Sequence, residues 1–187
     1  MLMMLTVVTA APAATSPSPT DAALWKAIAG GGHVVLLRHA LAPGTGDPPG
    51  FRLGDCASQR NLSATGRRQA QALGARFRSN GAQEVQVYSS RWCRSLETAR
   101  LLDLGPATPL PVLDSFFAGR GSESGQTALL RAFLARHRGG PTLVLVTHQV
   151  NITALTGVFP ASGEMLVLRN DGRALELIGR LAAPPAQ

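Results

Sequence analysis

The apolar positions of the chain fall into short runs separated by turn residues. Asp21 to Ala29 has the spacing of a short helix and is stopped by Gly30, Gly31 and Gly32. Val34 to Leu37 is an unbroken apolar run of β-type residues, as expected for a buried strand. Leu41 to Asn61 holds four Gly and three Pro and reads as a long loop. Loops of that length in a compact domain are usually functional or disordered. Ser63 is placed to cap a helix through Gly66 to about Arg78. Val85 to Tyr88 alternates like a strand, and a helix from about Trp92 to Leu102 follows. Pro106, Pro109 and Pro111 then break the chain, with Val112-Leu113 a short extended piece before a Gly/Ser-rich loop over 119–125. A helix from about Gln126 to Arg138 stops at Gly139-Gly140. Leu143 to Val146 is another buried strand, and Asn151 to Leu155 a short helix stopped by Gly157. Glu164 to Arg169 and Ala174 to Leu181 are two final strands around Asn170-Asp171-Gly172, a hairpin turn signal.

Strands alternating with helices predict an α/β domain. The expected architecture is a three-layer sandwich: a mostly parallel central sheet flanked by helices, with a C-terminal antiparallel hairpin. A length of 187 residues suits one domain, expected over 21–187, that can bury a core without staples. The first twenty residues read differently. An apolar run from Met1 to Ala11 leads into Ala11-Pro12-Ala13, an A-x-A type site, and then a Ser/Pro/Thr stretch. That is the layout of a secretory signal peptide with a flexible mature start, although no Lys or Arg precedes the apolar run. The run is too short for a stable membrane span. The expected location is periplasmic or secreted.

Charge sharpens the picture. The net charge is +7, and Lys26 is the only lysine among 18 basic residues. The planar arginine fork matches phosphate oxygens two at a time, which an ammonium does not. There is no run of five like charges and no aromatic–basic interleaving, so the basicity does not indicate a nucleic-acid surface. Two cysteines and four scattered histidines give no zinc-ligand spacing. Cys56 and Cys93 can pair in an oxidising compartment, tying the loop after the first strand to the helix near Arg91, or stay separate thiols.

Three predicted strands end in polar, chemically capable residues: Arg38-His39, Ser89-Ser90 ahead of Arg91 and Arg94, and Thr147-His148. Ligands of α/β sheets bind outside the carboxyl ends of strands, so these ends can converge on one site. The strings LLRHA, RNLSATGRRQAQALG, VYSSRWCRSLETAR and LVLVTHQVNITAL, in that order, resemble the histidine phosphatase superfamily, which includes phosphoglycerate mutases and acid phosphatases. The resemblance covers about Val34 to Leu155. DCASQRNLS, WCRSLETA, LDSFF and THQVNITAL look most like a small exported branch that includes lipopolysaccharide core heptose phosphate phosphatases.

The resemblance implies a metal-independent phosphomonoesterase that needs no cofactor. His39 would attack phosphorus and carry the phosphate as a phosphohistidine, with Arg38, Arg94 and His148 supplying donors to the transferred group. The leaving oxygen needs a proton. The family pattern is loose here: Asp114 is the first candidate donor, Glu123 the second, and Asp47 in the long loop a third. Arg91, Gln149, Asn151 and Glu123 are candidates for the substrate rim. Asn151 is equally well placed to cap its short helix. His33 and His137 lie outside the matched strings and read as structural or surface residues. The expected partner is a small phosphorylated substrate, with a lipopolysaccharide sugar phosphate one such ester. Two other readings stand beside this one. A phosphate-ligand-binding protein would have the pocket without a proton donor. A phosphomutase would resemble the family's mutases, whose Arg-His-Gly-Glu continuation is replaced here by Ala40-Leu41-Ala42-Pro43.

Overall fold

In the computed structural model, which describes residues 20–184, alternation along the strands divides the apolar core into two halves. Apart from Thr20, the expected signal segment lies outside the described residues. Six strands form one sheet: β1 (His33–Arg38), β2 (Val85–Ser89), β3 (Ala107–Pro109), β4 (Thr142–Thr147), β5 (Met165–Asn170) and β6 (Leu175–Leu181). Their order is β3-β2-β4-β1-β5-β6. The pairs β1–β4, β4–β2 and β2–β3 are parallel; β5 runs antiparallel to β1 and to β6. Val35, Leu37, Val144, Val146 and Val167 point to one face. There they meet Leu24 and Ile28 of α1 (Asp21–Ala29), Leu73 and Phe77 of α2 (Ala64–Ser79), and Leu102 of α3 (Cys93–Leu102). Val34, Leu36, Leu143, Leu145, Leu166 and Leu168 point to the other face. They pack on Leu130 and Leu134 of α4 (Glu123–Arg136) and on Ile152 and Leu155 of α5 (Gln149–Thr156). The three-layer α/β sandwich with its terminal hairpin is thus present, and burial on both faces explains the unbroken apolar runs of β1 and β4.

The register fixes which strand ends lie side by side. Arg38 is opposite Thr147, and Ser89 is opposite Val146. Just past the strands, the His39 amide donates to the Thr147 carbonyl at 2.9 Å and the Ser90 amide to the Val146 carbonyl at 2.9 Å. Three chain segments far apart in sequence therefore leave the sheet at one edge.

Several local expectations change. The chain near the prolines is not only a break: Ala107–Pro109 forms β3, tolerated because it is an edge strand where a missing N–H removes no ladder bond from the interior. Val112-Leu113, expected to be extended, lies in a 3-10 turn headed by Pro111. Helix α4 starts at Glu123 rather than Gln126, because Ser122 caps it by accepting from the Gly125 amide at 3.2 Å. The long loop contains a 3-10 turn, Cys56–Ser58, and a Cys56–Cys93 disulfide ties that turn to the start of α3.

Two glycines of α2 set how closely that helix lies on its neighbours. A Cβ at Gly66 would sit 2.0 Å from the Leu41 carbonyl oxygen, and one at Gly74 would sit 2.0 Å from that of Leu102. Both obstacles are backbone, so a methyl group forces the helix off. We expect Gly74→Ala to destabilise the fold by about 1–3 kcal/mol, the usual cost of overpacking. At this chain length that lowers the melting temperature by roughly 2–12 °C. A thermal melt no lower than that of the native chain would refute the close packing of α2 on α3.

Candidate active site

The edge where β1, β2 and β4 end opens into a pocket of ≈ 160 Å³. Arg38 and His39 enter from β1, Arg94 from the first turn of α3, and His148 from the end of β4. The long loop contributes Thr45, Asp47 and Arg60. Ser115, Phe117, Gln149, Val150 and Phe159 complete the mouth, where Phe159 is 67% exposed. The rings of His39 and His148 are edge to face with centroids 5.4 Å apart.

The imidazole of His39 is oriented by its own backbone neighbourhood. Nδ1 lies 2.8 Å from the Ala40 carbonyl, which can only accept, so Nδ1 carries the proton and Nε2 a free lone pair. The ring is buried, and burial, then the Arg94 charge, then Arg60 and Arg38 against the Ala40 bond, push its pKa down to about 3. It is therefore neutral at pH 7. His148 is held well below the usual histidine range by burial first, then by His39, Arg94, Arg60 and Arg38. Its Nε2 lies 2.8 Å from Ser90 Oγ.

Three guanidinium groups face these rings. Burial first and the neighbouring arginines second lower the pKa of Arg38 and of Arg60, the latter to about 10 with Asp47 opposing the fall. Arg94 is lowered by burial, although hydrogen bonds to Asp47 pull it back up. All three stay cationic at pH 7. Arg38 donates from Nη1 to the Pro160 carbonyl at 2.8 Å. Arg60 donates from Nε to the Gly46 carbonyl at 2.6 Å and from Nη1 to that of Ala42. Arg94 and Asp47 form an ion pair at 2.6 Å with side chains only 3% and 4% exposed. Burial alone would raise the Asp47 carboxyl; hydrogen bonds from Arg94 and the Trp92 indole, the Arg94 charge and the Arg60 amide together hold it below the usual carboxylate range. Asp47 is the only carboxylate among the described lining residues. Three cations against one anion leave two positive charges, matching a phosphate monoester dianion.

Residues 34–116 match the histidine phosphatase superfamily (branch 1). The matched segment holds Arg38, His39, Asp47, Arg60 and Arg94; His148 lies beyond it and joins them through the parallel pairing of β1 and β4. No curated protein matches the chain. Among solved structures it is similar to the protein histidine phosphatase SixA complexed with tungstate, at 14% identity and a TM-score of 0.56 over 80% of this chain and 96% of that one. It is similar to a mycobacterial glucosyl-3-phosphoglycerate phosphatase at 18% identity and a TM-score of 0.57, covering 78% and 95% of the two chains. A phosphoserine phosphatase from Entamoeba histolytica, in complex with 3-phosphoglyceric acid, gives 13% identity and a TM-score of 0.59, covering 80% and 96%. At these identities the likeness is one of fold.

Of the expected residues the structure gathers Arg38, His39, Asp47, Arg94, His148 and Gln149 in the pocket and leaves the others outside it. Asp114, the first candidate proton donor, lies behind Ser90. Its Oδ1 accepts from the Arg91 amide at 2.8 Å and from Ser90 Oγ at 3.2 Å, and its Oδ2 from Arg91 Nε at 2.7 Å and Nη2 at 2.6 Å. Every acceptor face is thus turned away from the pocket. Arg91 is drawn to Asp114 and does not reach the rim. Glu123 sits exposed in the first turn of α4. Asn151 is buried in α5, where its Nδ2 donates to the Asp114 carbonyl at 2.9 Å; His148, not Asn151, is the N-cap residue. His33 and His137 bond nearby carbonyls away from the pocket. Arg60 was missed, although it heads the string RNLSATGRRQAQALG. Phe117 closes the string LDSFF but was given no role, and Phe159 carried no sequence signal; only the fold returns them to the strand ends.

The depressed basicity of His39 links to stability with a definite sign. In the unfolded chain its imidazole takes up a proton near the ordinary pKa of 6.5; in the fold it does so only near about 3. Between those values the unfolded state binds more protons, so acid destabilises the native state. We expect a His39→Gln variant to lose less stability than the native chain between about pH 7 and about pH 4.5, read as the change in denaturant midpoint. Equal losses would contradict a buried neutral His39.

Proposed function

We propose that this chain is a metal-independent phosphomonoesterase that works through a phosphohistidine on His39. One observation carries the reading: the Nδ1–H of His39 is bound to the Ala40 carbonyl, so a neutral Nε2 lone pair is left in a pocket with a surplus of guanidinium charge. An imidazole nucleophile must be unprotonated at the attacking atom, and burial among cations keeps it so. Phosphoryl transfer spreads charge over three equatorial oxygens, and Arg38, Arg60 and Arg94 are fixed donors of the kind that charge needs. In the first step Nε2 bonds to phosphorus while the P–O bond to the leaving group breaks. In the second, water attacks phosphorus, the P–N bond breaks, and inorganic phosphate leaves with His39 neutral again.

The mutase reading needs a pocket that keeps the phosphorylated intermediate for return to a second hydroxyl. Phe117 and Phe159 make the mouth open and partly apolar, which favours water as the acceptor. A purely binding role is supported only by the state of Asp47, which is anionic and bound to Arg94. We further propose export to the periplasm or beyond, supported by the apolar start with its A-x-A site and by the Cys56–Cys93 disulfide. An envelope phosphate ester, with a lipopolysaccharide sugar phosphate as one case, fits that location and the net charge of +7.

The test is turnover of an aryl phosphate by the purified chain in excess chelator. We expect activity to survive chelation and to fall on the order of 10³-fold or more in His39→Ala, as when a nucleophile is removed elsewhere. Full activity in His39→Ala, or none in the native chain, would overturn the reading.

A further inference from the structure

We infer that Ser90 and Asp114 lock His148 with its proton on Nε2, so that His148 offers Nδ1 to the phosphoryl group and a phosphate dianion binds with uptake of one proton there. The assignment follows from counting donors around one hydroxyl. Ser90 Oγ has one proton and two lone pairs. Three groups surround it: Asp114 Oδ1 at 3.2 Å, His148 Nε2 at 2.8 Å and the Trp92 amide at 3.3 Å. The amide only donates. Asp114 stands as an acceptor, because three N–H groups of Arg91 already donate to its two oxygens. Ser90 is saturated in one way alone: its proton goes to Asp114, and its lone pairs take the Trp92 N–H and the His148 Nε2–H. The reverse assignment sets a hydroxyl lone pair against a carboxylate oxygen at 3.2 Å in a buried place, where an unmade bond costs most.

A neutral imidazole protonated on Nε2 has a bare Nδ1. No described protein group bonds that atom, and the ring lines the pocket. His39 shows the opposite pattern, with Nδ1 protonated and Nε2 bare. The charged and titratable groups that face His148 come from every side: His39 from the end of β1, Arg38 beside it, Arg60 from the loop, Arg94 from α3 with Asp47 on it, and Asp114 with Arg91 behind Ser90. In the free protein the nearest unpaired charge is cationic and keeps the ring neutral. A phosphate dianion reverses the sign of that field. Its oxygen and the bare Nδ1 are both acceptors, so they meet only with a proton between them.

This gives the reaction a proton that no carboxylic acid of the pocket offers. As His39 Nε2 bonds to phosphorus and the P–O bond breaks, the leaving oxygen keeps the electron pair and takes the proton from His148 Nδ1, which returns to its neutral form. In hydrolysis the attacking water passes a proton back to Nδ1, the P–N bond breaks, and phosphate departs. Ser90 and Asp114 are positioning residues that act through His148. The nature of the anion rests on the phosphatase reading; the tautomer rests on the hydrogen bonds alone.

The experiment is two-bond proton–nitrogen NMR of the full chain labelled with 15N-histidine, at about pH 8, where phosphate is mostly dianionic. The free native chain should show His148 with Nε2 protonated and Nδ1 bare, and His39 reversed. Saturation with inorganic phosphate should shift His148 Nδ1 to the protonated position. Ser90→Ala should lose the single tautomer, and Ser90→Thr should restore it. A bare Nε2 on His148 in the free native chain overturns the inference, and so does an Nδ1 that stays bare at phosphate saturation. The native spectra decide the matter even where Ser90→Ala does not fold. Absence of aryl phosphate turnover with these signals in place would remove the phosphatase reading and leave the tautomer standing.

Discussion

A buried imidazole can sit beside three guanidinium groups only while it carries no charge, and the site is organised around that constraint. Burial and the surrounding cations strip the proton from His39, while the Ala40 carbonyl holds the remaining one on Nδ1. The same cations that keep the ring neutral are the groups an anion would bind. The neutral imidazole and the anion-binding cations are therefore one electrostatic object. Asp47 moderates it: by pairing with Arg94 it makes the burial of that guanidinium tolerable without cancelling the other two.

The fold supplies this arrangement from a short stretch of parallel sheet. Pairing of β1 with β4, and of β4 with β2, brings His39, His148 and Ser90 to one edge whatever their separation in sequence. The loop between β1 and α2 carries Asp47 and Arg60, and two features hold it there. Gly66 lets α2 lie against Leu41, and the Cys56–Cys93 disulfide joins the loop to the turn that launches Arg94. A methyl group at Gly66 or an open disulfide would disturb the charge pattern through position, without touching a pocket residue.

Much of this was legible in the sequence, for identifiable reasons. Strands buried on both faces write themselves as unbroken apolar runs, so β1 and β4 were plain, and the residues that follow them were plain with them. The disulfide was left open because chain distance does not reveal spatial distance. Edge strand β3 was hidden by Pro106 and Pro109, since a proline signals a break unless one knows that the strand is at an edge. Asp114 was misplaced for a deeper reason. The direction of its carboxylate depends on Arg91, whose pairing no pattern records. Phe117, at the start of a 3-10 turn, and Phe159, in a loop, left no trace in periodicity at all.

The account stands on a bond between His39 Nε2 and phosphorus. Rapid quenching of the native chain during turnover of an aryl phosphate, followed by peptide mapping under alkaline conditions, looks for that bond itself. An acid-labile, alkali-stable phosphoryl group on the peptide that carries His39 is the result expected. Steady turnover with the phosphoryl group on a serine or a carboxylate, or with none on the protein, would contradict it.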